Sequence, residues 1–170
     1  MNRLLVIVLL VLAVPCLAFG QAQAVQPPKP GPDVQRLGYF VGAWKSEASK
    51  SAATMTCEWF AGGYSIVCRE EITAVAGKTS DLRVMTYDPD SKVYTHYMVT
   101  SMGPGGALAK GTLNGNTWLW QWDGTVSGKP AKFRLTLVEV TPTSYTVKVE
   151  NSAAGGPWTV IDESKSTKIK

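Results

Sequence analysis

Residues 107–122 decide the fold; they read ALAKGTLNGNTWLWQW. At their centre, Asn114-Gly115 is a strong hairpin signal, because a type I′ turn needs a positive φ at both central residues. A turn centred there sets small residues of one strand opposite tryptophans of the next: Gly111 with Trp118, Ala109 with Trp120, and Ala107 with Trp122. Large-beside-small pairing fills a tapered interior. We therefore predict that the three tryptophans point inward, where they either fill a core or line a cavity.

The sequence on both sides of this hairpin also has the pattern of short strands and turns. After Trp44, short runs of alternating apolar and polar residues are separated by turn signals such as Gly62-Gly63 and Asp88-Pro89. This pattern predicts about ten strands. Tight turns make neighbouring strands antiparallel, and a meander of this length removes its exposed edges by closing. The predicted fold class is all-β, an antiparallel up-and-down β-barrel with a short N-terminal helical turn.

The segment before the strands has a different pattern. Apolar residues recur at helical spacing between Asp33 and Trp44, which predicts a short helix or helical turn that Asp33 caps and that ends at Gly42. Residues 25–36 contain four prolines and are interpreted as an extended linker. Residues 37–170 then form a single barrel domain.

The first 24 residues have the pattern of a signal peptide. A short basic start is followed by an apolar run, and small residues allow cleavage after Gly20 or Ala24. The apolar run is shorter than the roughly 20 residues that a membrane-spanning helix needs. We therefore expect a secreted or periplasmic protein with no stable membrane insertion after cleavage.

A second hairpin, centred on Gly62-Gly63, pairs Cys57 with Cys68, and Trp59 with Ile66. Because these are the only cysteines after the signal peptide and the expected compartment is oxidising, we predict a Cys57–Cys68 disulfide. Cross-strand disulfides favour non-hydrogen-bonded pairs, which a two-residue turn would not provide here. A four-residue loop, 61–64, would provide one. The alternative is a pair of buried thiols.

Composition excludes several classes of function. The 170 residues are 45% hydrophobic and 18% charged, with a formal net charge of +4. The basic residues are scattered, whereas a nucleic-acid-binding protein concentrates them on one face. We therefore expect no nucleic-acid partner. The sequence does not indicate an oligomeric state.

Few residues offer catalytic or metal-binding chemistry. His96 is the single histidine, and the chain has neither a Gly-x-Ser-x-Gly elbow nor an acid–base pair. A zinc site needs several histidines or cysteines at ligand spacing. We expect no catalytic residues, no metal ligands and no enzymatic activity.

Five residues are candidates for ligand binding: Trp118, Trp120, Trp122, His96 and Glu70. The strand that carries His96 is apolar on both faces, so either face suits the interior. Glu70, like Glu139, shares its face with apolar neighbours. A buried carboxylate is unfavourable unless it is paired. Each of these two glutamates therefore lies at a barrel rim or serves as a polar group in a lumen.

Gly42-Ala43-Trp44, placed between a helical turn and a strand meander, resembles the Gly-x-Trp motif of lipocalins and the wider calycin-type barrels. The stretches 37–44, 57–63, 87–89 and 111–118 resemble a secreted bacterial family of unknown function. The strand count is similar to that of fatty-acid-binding-protein-like and nitrobindin-like relatives. The lipocalin resemblance implies a basic side chain over Trp44, either Lys165 or Lys168. Nitrobindin-like proteins hold haem on a histidine near the C-terminus, where this chain has none.

We therefore expect a lipocalin-like barrel that binds a small apolar or amphipathic molecule and needs no cofactor. The alternative is a solid barrel that acts through its loops as an interaction or inhibitor protein. A haem-binding, nitrobindin-like protein is a further alternative. A cavity of a few hundred Å³ would favour the binding protein over the solid barrel.

Overall fold

The computed structural model describes residues 29–103 and 105–170. The predicted signal peptide, residues 1–24, lies outside the described residues. The chain begins with helix α1 (Pro32–Arg36) and a 3₁₀ turn (Leu37–Phe40). Ten strands follow: β1 (Gly42–Ala48), β2 (Ser51–Trp59), β3 (Ser65–Ala74), β4 (Gly77–Asp88), β5 (Val93–Thr100), β6 (Gly106–Asn114), β7 (Thr117–Val126), β8 (Lys129–Thr141), β9 (Ser144–Ala153) and β10 (Thr159–Lys168).

The strands form the predicted closed, antiparallel, up-and-down barrel. Each strand pairs with its neighbours in sequence, and β1 closes the ring by pairing with β10, with Trp44 opposite Lys168. Closure leaves the ten strands without an unpaired edge. Among the described residues, no helix has the length and apolar character needed to span a membrane.

The helical segment covers one end of the barrel. Leu37 and Phe40 are fully or almost fully buried in the core. The hydroxyl of Tyr39 lies within hydrogen-bond distance of two carbonyl oxygens, those of Thr141 (2.9 Å) and Ser144 (2.8 Å). These contacts attach the segment to the β8–β9 turn, so this end of the barrel is closed.

The start of the helix differs from the prediction. Asp33 is not the N-cap; Gly31 occupies that position and makes no side-chain capping bond. Pro32 is the first helical residue, a position that suits proline because its missing N–H has no partner there in any helix. The last five residues of the 25–36 segment are therefore helical rather than extended, and helical structure ends at Phe40 rather than Gly42.

The β6–β7 hairpin has the predicted inward face but a different register. Asn114 pairs with Thr117, so the turn residues are Gly115 and Asn116, and Gly111 lies opposite Trp120. The three predicted pairs, Gly111 with Trp118, Ala109 with Trp120 and Ala107 with Trp122, are therefore wrong. Gly115 alone has a positive φ (+59°), as at the first central position of a type II′ turn. The Asn116 amide donates to the Glu139 carbonyl oxygen of β8 (2.8 Å), which favours this placement.

The β2–β3 hairpin matches the prediction. Cys57 pairs with Cys68 across the strands, and their sulfur atoms form a disulfide with Cα atoms 4.0 Å apart. The backbone N–H of Phe60 donates to the Ser65 carbonyl oxygen, so the loop has four residues, 61–64. Counting from that hydrogen-bonded pair, Cys57 and Cys68 form a non-hydrogen-bonded pair, which suits the disulfide.

Candidate functional site

The closed end of the barrel is a cluster of aromatic side chains, Trp44, Trp118 and Tyr145, which we call the aromatic floor. Trp44 is fully buried, and its ring centroid lies 4.8 Å from that of Tyr145. Its indole N–H donates to the Phe40 carbonyl oxygen (2.7 Å). The ammonium of Lys168 lies 5.0 Å from the centre of the Trp44 ring, so Lys168, not Lys165, is the basic residue over this tryptophan.

Glu139 lies at the rim of this closed end. Its carboxylate accepts a hydrogen bond from the Trp118 indole N–H (2.7 Å) and two from the Arg36 guanidinium (3.0 and 3.1 Å). The glutamate therefore joins the helical segment to the aromatic floor and takes no part in the cavity above it.

Two neighbouring chambers occupy the barrel interior above this floor. The first has a volume of about 180 Å³ and extends to Ala48 and Ser51, where β1 meets β2 at the end opposite the helix. The second has a volume of about 200 Å³. Five residues line both chambers: Arg83, His96, Trp120, Leu135 and Val149. The chambers differ in chemistry on either side of this shared wall.

Several polar side chains line the first chamber. The hydroxyls of Ser46 and Ser166 lie 2.6 Å apart and both line it. The Tyr145 hydroxyl hydrogen-bonds to the same two serines, and burial raises its pKa. Glu70 and Asp162 add carboxylates. This chamber therefore suits a polar part of a ligand.

The second chamber is lined mainly by apolar side chains. Trp120 and Trp122 contribute its aromatic wall, and the small residues Ala107 and Ala109 of β6 also line it. The other apolar lining residues are Met98, Leu135 and Val149. This chamber therefore suits an apolar part of a ligand.

A buried ion cluster lies in the interior. The Arg83 guanidinium bonds to the Glu70 carboxylate and lies 3.3 Å from the carboxylate of Asp81. The side chains of Glu70 and Asp81 are only 10% and 9% exposed. Burial raises the pKa of Glu70 and outweighs the opposing effect of Arg83. The pairing with Arg83 makes buried carboxylates tolerable at this position.

His96 faces the interior on β5, together with Tyr94, while Tyr97 is 47% exposed. The centroid of the His96 ring lies 5.3 Å from that of the Trp120 ring. Burial, assisted by the positive charge of Arg83, lowers its pKa to about 3, so the imidazole is neutral near pH 7. In the described part of the chain, Nε2 of His96 and Nε of Arg83 are the buried side-chain polar atoms with no hydrogen-bond partner.

The five candidate ligand-binding residues all face the interior, but they do not form one site. Trp118 is fully buried in the aromatic floor and borders neither chamber. Trp120 and His96 line both chambers, Glu70 the first and Trp122 the second. Phe40 lines the first chamber and packs against Trp118; their ring centroids are 5.2 Å apart.

Sequence reasoning missed Arg83 and Asp81. Both faces of strand β4 carry polar and apolar residues, so alternation alone did not show that Asp81 and Arg83 point inward. The cross-strand register carries the missing signal, because Glu70 lies opposite Asp81 and Cys68 opposite Arg83. Once β3 is oriented by its disulfide, that register places both residues on the interior face.

The residues around His96 do not fit a haem. Sites for drug-sized or larger molecules begin at about 300 Å³, and each chamber beside His96 is smaller. Trp120 also occupies the space next to the imidazole. Between residues 29 and 170, leaving out residue 104, no three His, Cys, Asp or Glu side chains are grouped so as to hold a metal ion.

Comparisons with known proteins support the barrel fold. No protein-family model matches the sequence, and no curated protein matches it either. Among solved structures, Rv2717c from M. tuberculosis is similar, with a TM-score of 0.56 and 12% identity over 83% of this chain and 99% of that one. The S-type phycobiliprotein lyase CPES from Guillardia theta has a TM-score of 0.50 and 13% identity over 80% of this chain and 92% of that one. At these identities the likeness shows the fold alone, which is a closed, up-and-down, lipocalin-like β-barrel.

Proposed function

We propose that this protein is a secreted or periplasmic binding protein that holds one small amphipathic molecule in its lumen. The observation that carries the proposal is the pair of unpartnered buried atoms, Arg83 Nε and His96 Nε2. Buried polar groups are nearly always hydrogen-bonded. Both residues line the shared wall of the two chambers, so a polar group of a ligand bound there can supply a hydrogen-bond partner for one of these two atoms.

The two chambers support a ligand with two kinds of surface. A polar group in the first chamber meets the hydroxyls of Ser46 and Ser166, while an apolar group in the second lies against Trp120 and Trp122. The modest volumes favour a ligand about the size of one aromatic ring with a short polar chain, rather than a long-chain lipid.

The proposed compartment rests on the signal-peptide pattern and on the Cys57–Cys68 disulfide. Disulfides persist in oxidising compartments and are rare in the cytosol. Fractionation of host cells, with the cysteines trapped at lysis, tests this part of the proposal. Recovery of the protein in the cytosolic fraction with two free thiols would contradict it.

The proposal is for binding without chemical conversion of the ligand. A general base works best with a pKa near the working pH, and burial lowers the pKa of His96 to about 3. Incubation of candidate ligands with the protein, followed by mass spectrometry of the small molecules, tests this point. Turnover that is lost in His96→Leu would contradict it.

A second candidate function is contact with another macromolecule through the outer face of β4–β6. Leu82, Tyr97 and Leu108 are 40%, 47% and 56% exposed there, and Tyr97 pairs with Leu108 across the strands. Contiguous exposed apolar residues mark interaction sites. The variant Leu108→Lys tests this function, because it would abolish such a contact while leaving the lumen unchanged.

The main test is calorimetric titration with 2-phenylethanol, a neutral molecule with one aromatic ring. We expect saturable binding that Trp122→Ala weakens by at least about tenfold, because truncation removes an aromatic wall. Trp158→Ala is the matched control, since Trp158 packs over Arg134 outside both chambers. Equal affinities of the two variants would overturn lumen binding, as would a wild type that binds neither 2-phenylethanol nor its charged phenyl analogues.

A further inference from the structure

The lumen carries an excess of negative charge. Three carboxylates, those of Glu70, Asp81 and Asp162, line one chamber or the other. Among the described residues that line the chambers, Arg83 is the single cation. When these carboxylates are ionised, an entering molecule meets a surplus of negative charge rather than a free guanidinium.

The position of Arg83 strengthens this point. A lone buried arginine would attract a carboxylate ligand through a bidentate hydrogen bond. Here the guanidinium is already paired with Glu70 and lies 3.3 Å from the Asp81 carboxylate. An anionic ligand would have to compete with two resident carboxylates while being repelled by them.

The rest of the lining suits a cation. In the first chamber, the Trp120 ring offers an aromatic face, and the hydroxyls of Ser46, Ser164 and Ser166 offer acceptors for N–H donors. Asp162 is exposed and adds a second carboxylate to the lining of the first chamber.

We propose that the lumen selects a small amphipathic amine, with its ammonium group in the first chamber near Glu70 and Asp162 and its apolar body against the tryptophans of the second chamber. This proposal rests on lumen binding as the function of the barrel. It names the ligand class, which the apolar lining alone leaves open between fatty acids, alcohols and amines.

A matched ligand series tests the proposal. Phenethylamine, 2-phenylethanol and phenylacetate share one phenyl ring and differ in the charge of the polar end. We expect wild-type protein to bind phenethylamine at least about tenfold more tightly than phenylacetate, with 2-phenylethanol between them, because unlike charges attract strongly inside a protein.

Variants that remove a carboxylate test which residues cause the preference for the amine. Glu70→Gln keeps the shape of the side chain and should weaken phenethylamine binding by about tenfold while changing that of 2-phenylethanol little. Because this variant removes a partner of Arg83, Asp162→Asn provides a second test at an exposed position, with an expected loss of about threefold. Glu163→Gln, next along β10, is the matched control, since Glu163 lines neither chamber.

The outcomes separate the two proposals. If phenylacetate binds as tightly as phenethylamine, or if neither Glu70→Gln nor Asp162→Asn weakens amine binding, the amine proposal is wrong while lumen binding stands. If no member of the series binds, the proposed function fails and the amine proposal with it.

Discussion

At the closed end of the barrel, the Glu139 carboxylate accepts hydrogen bonds from both Trp118 and Arg36. Glu139→Ala leaves the buried Trp118 N–H without an acceptor, so we expect the free energy of unfolding to fall by about 1–3 kcal/mol. Urea unfolding measures the change. Glu58→Ala is the control, because Glu58 pairs with Arg69 at an exposed site and such pairs contribute about 0–1 kcal/mol. Equal effects would contradict the role of Glu139.

His96 should make stability depend on pH in the acidic range. Its native pKa is about 3 against an ordinary value of 6.5, so between these values the unfolded chain binds one more proton. Stability therefore rises with pH across this window, by at most about 1.4 kcal/mol per pH unit, and is lost as pH falls toward 3.

The measurement is the difference in unfolding free energy between wild type and His96→Leu from pH 7 to pH 4. The raised pKa of Glu70 acts in the opposite direction in both proteins and largely cancels. A difference that does not change with pH would show that His96 titrates normally in the native state.

For single residues, the sequence predicted which side chains face the interior better than it predicted the contacts that they make there. Glu70 and Glu139 share the same pattern of apolar neighbours, yet one lies in the lumen and the other at the rim. Their partners also differ: Glu139 pairs with Arg36, which is distant in sequence, and Glu70 pairs with Arg83, on a strand whose two faces both mix polar and apolar residues. The alternation of apolar and polar residues predicts which side chains share a face of a strand, but it does not predict which charged side chains pair across strands.

Between β6 and β7, the packing of one glycine can be tested. A Cβ atom at Gly111 would lie 2.4 Å from Cε3 of Trp120, so Gly111→Ala must displace the indole or bend the strand. We expect a loss of about 1–3 kcal/mol in unfolding free energy. Gly103→Ala is the control, since a Cβ there meets no atom within 4 Å. A neutral Gly111→Ala would contradict the register.

The β2–β3 hairpin owes part of its stability to the disulfide. Replacing both Cys57 and Cys68 by alanine should lower the free energy of unfolding by about 2–3 kcal/mol, mainly because the unfolded chain gains freedom. Chemical denaturation of the variant and of wild type, with and without reductant, measures this. Wild type that yields two reactive thiols when denatured without reductant would contradict the bond.

Element-scale prediction succeeded where the turn residues were unambiguous. Gly62-Gly63 gave the correct β2–β3 pairs, and the preference of disulfides for non-hydrogen-bonded pairs gave the loop length. Asn114-Gly115 gave the correct face but a turn one residue too early. The choice depended on the bond from Asn116 to Glu139 of β8, a contact between strands that no local pattern contains.

For the whole molecule, closure through β1 and β10 predicts cooperative and slow folding. Every strand is paired on both sides, so we expect tryptophan fluorescence and far-ultraviolet circular dichroism to report the same urea transition. Pairing the first strand with the last requires contacts distant in sequence, so stopped-flow refolding should take milliseconds to seconds. Separate transitions, or refolding in microseconds, would contradict this expectation.

Strand number and closure could be predicted because turn signals count the strands and unpaired edges are unfavourable. The content of the lumen could not be predicted in the same way. It depends on ten inward faces meeting at one place, and the single arginine among them lies on a strand whose orientation the sequence left open.

The helical segment also has a consequence for the kinetics of exchange. Since Phe40 and the aromatic floor close one end, a molecule held in the lumen as we propose would arrive and depart through the opposite end. A competitor therefore cannot enter behind a bound molecule and push it out; it must wait for the lumen to empty. The rate at which a bound molecule is replaced should reach a limit equal to its own departure rate, however high the competitor concentration becomes.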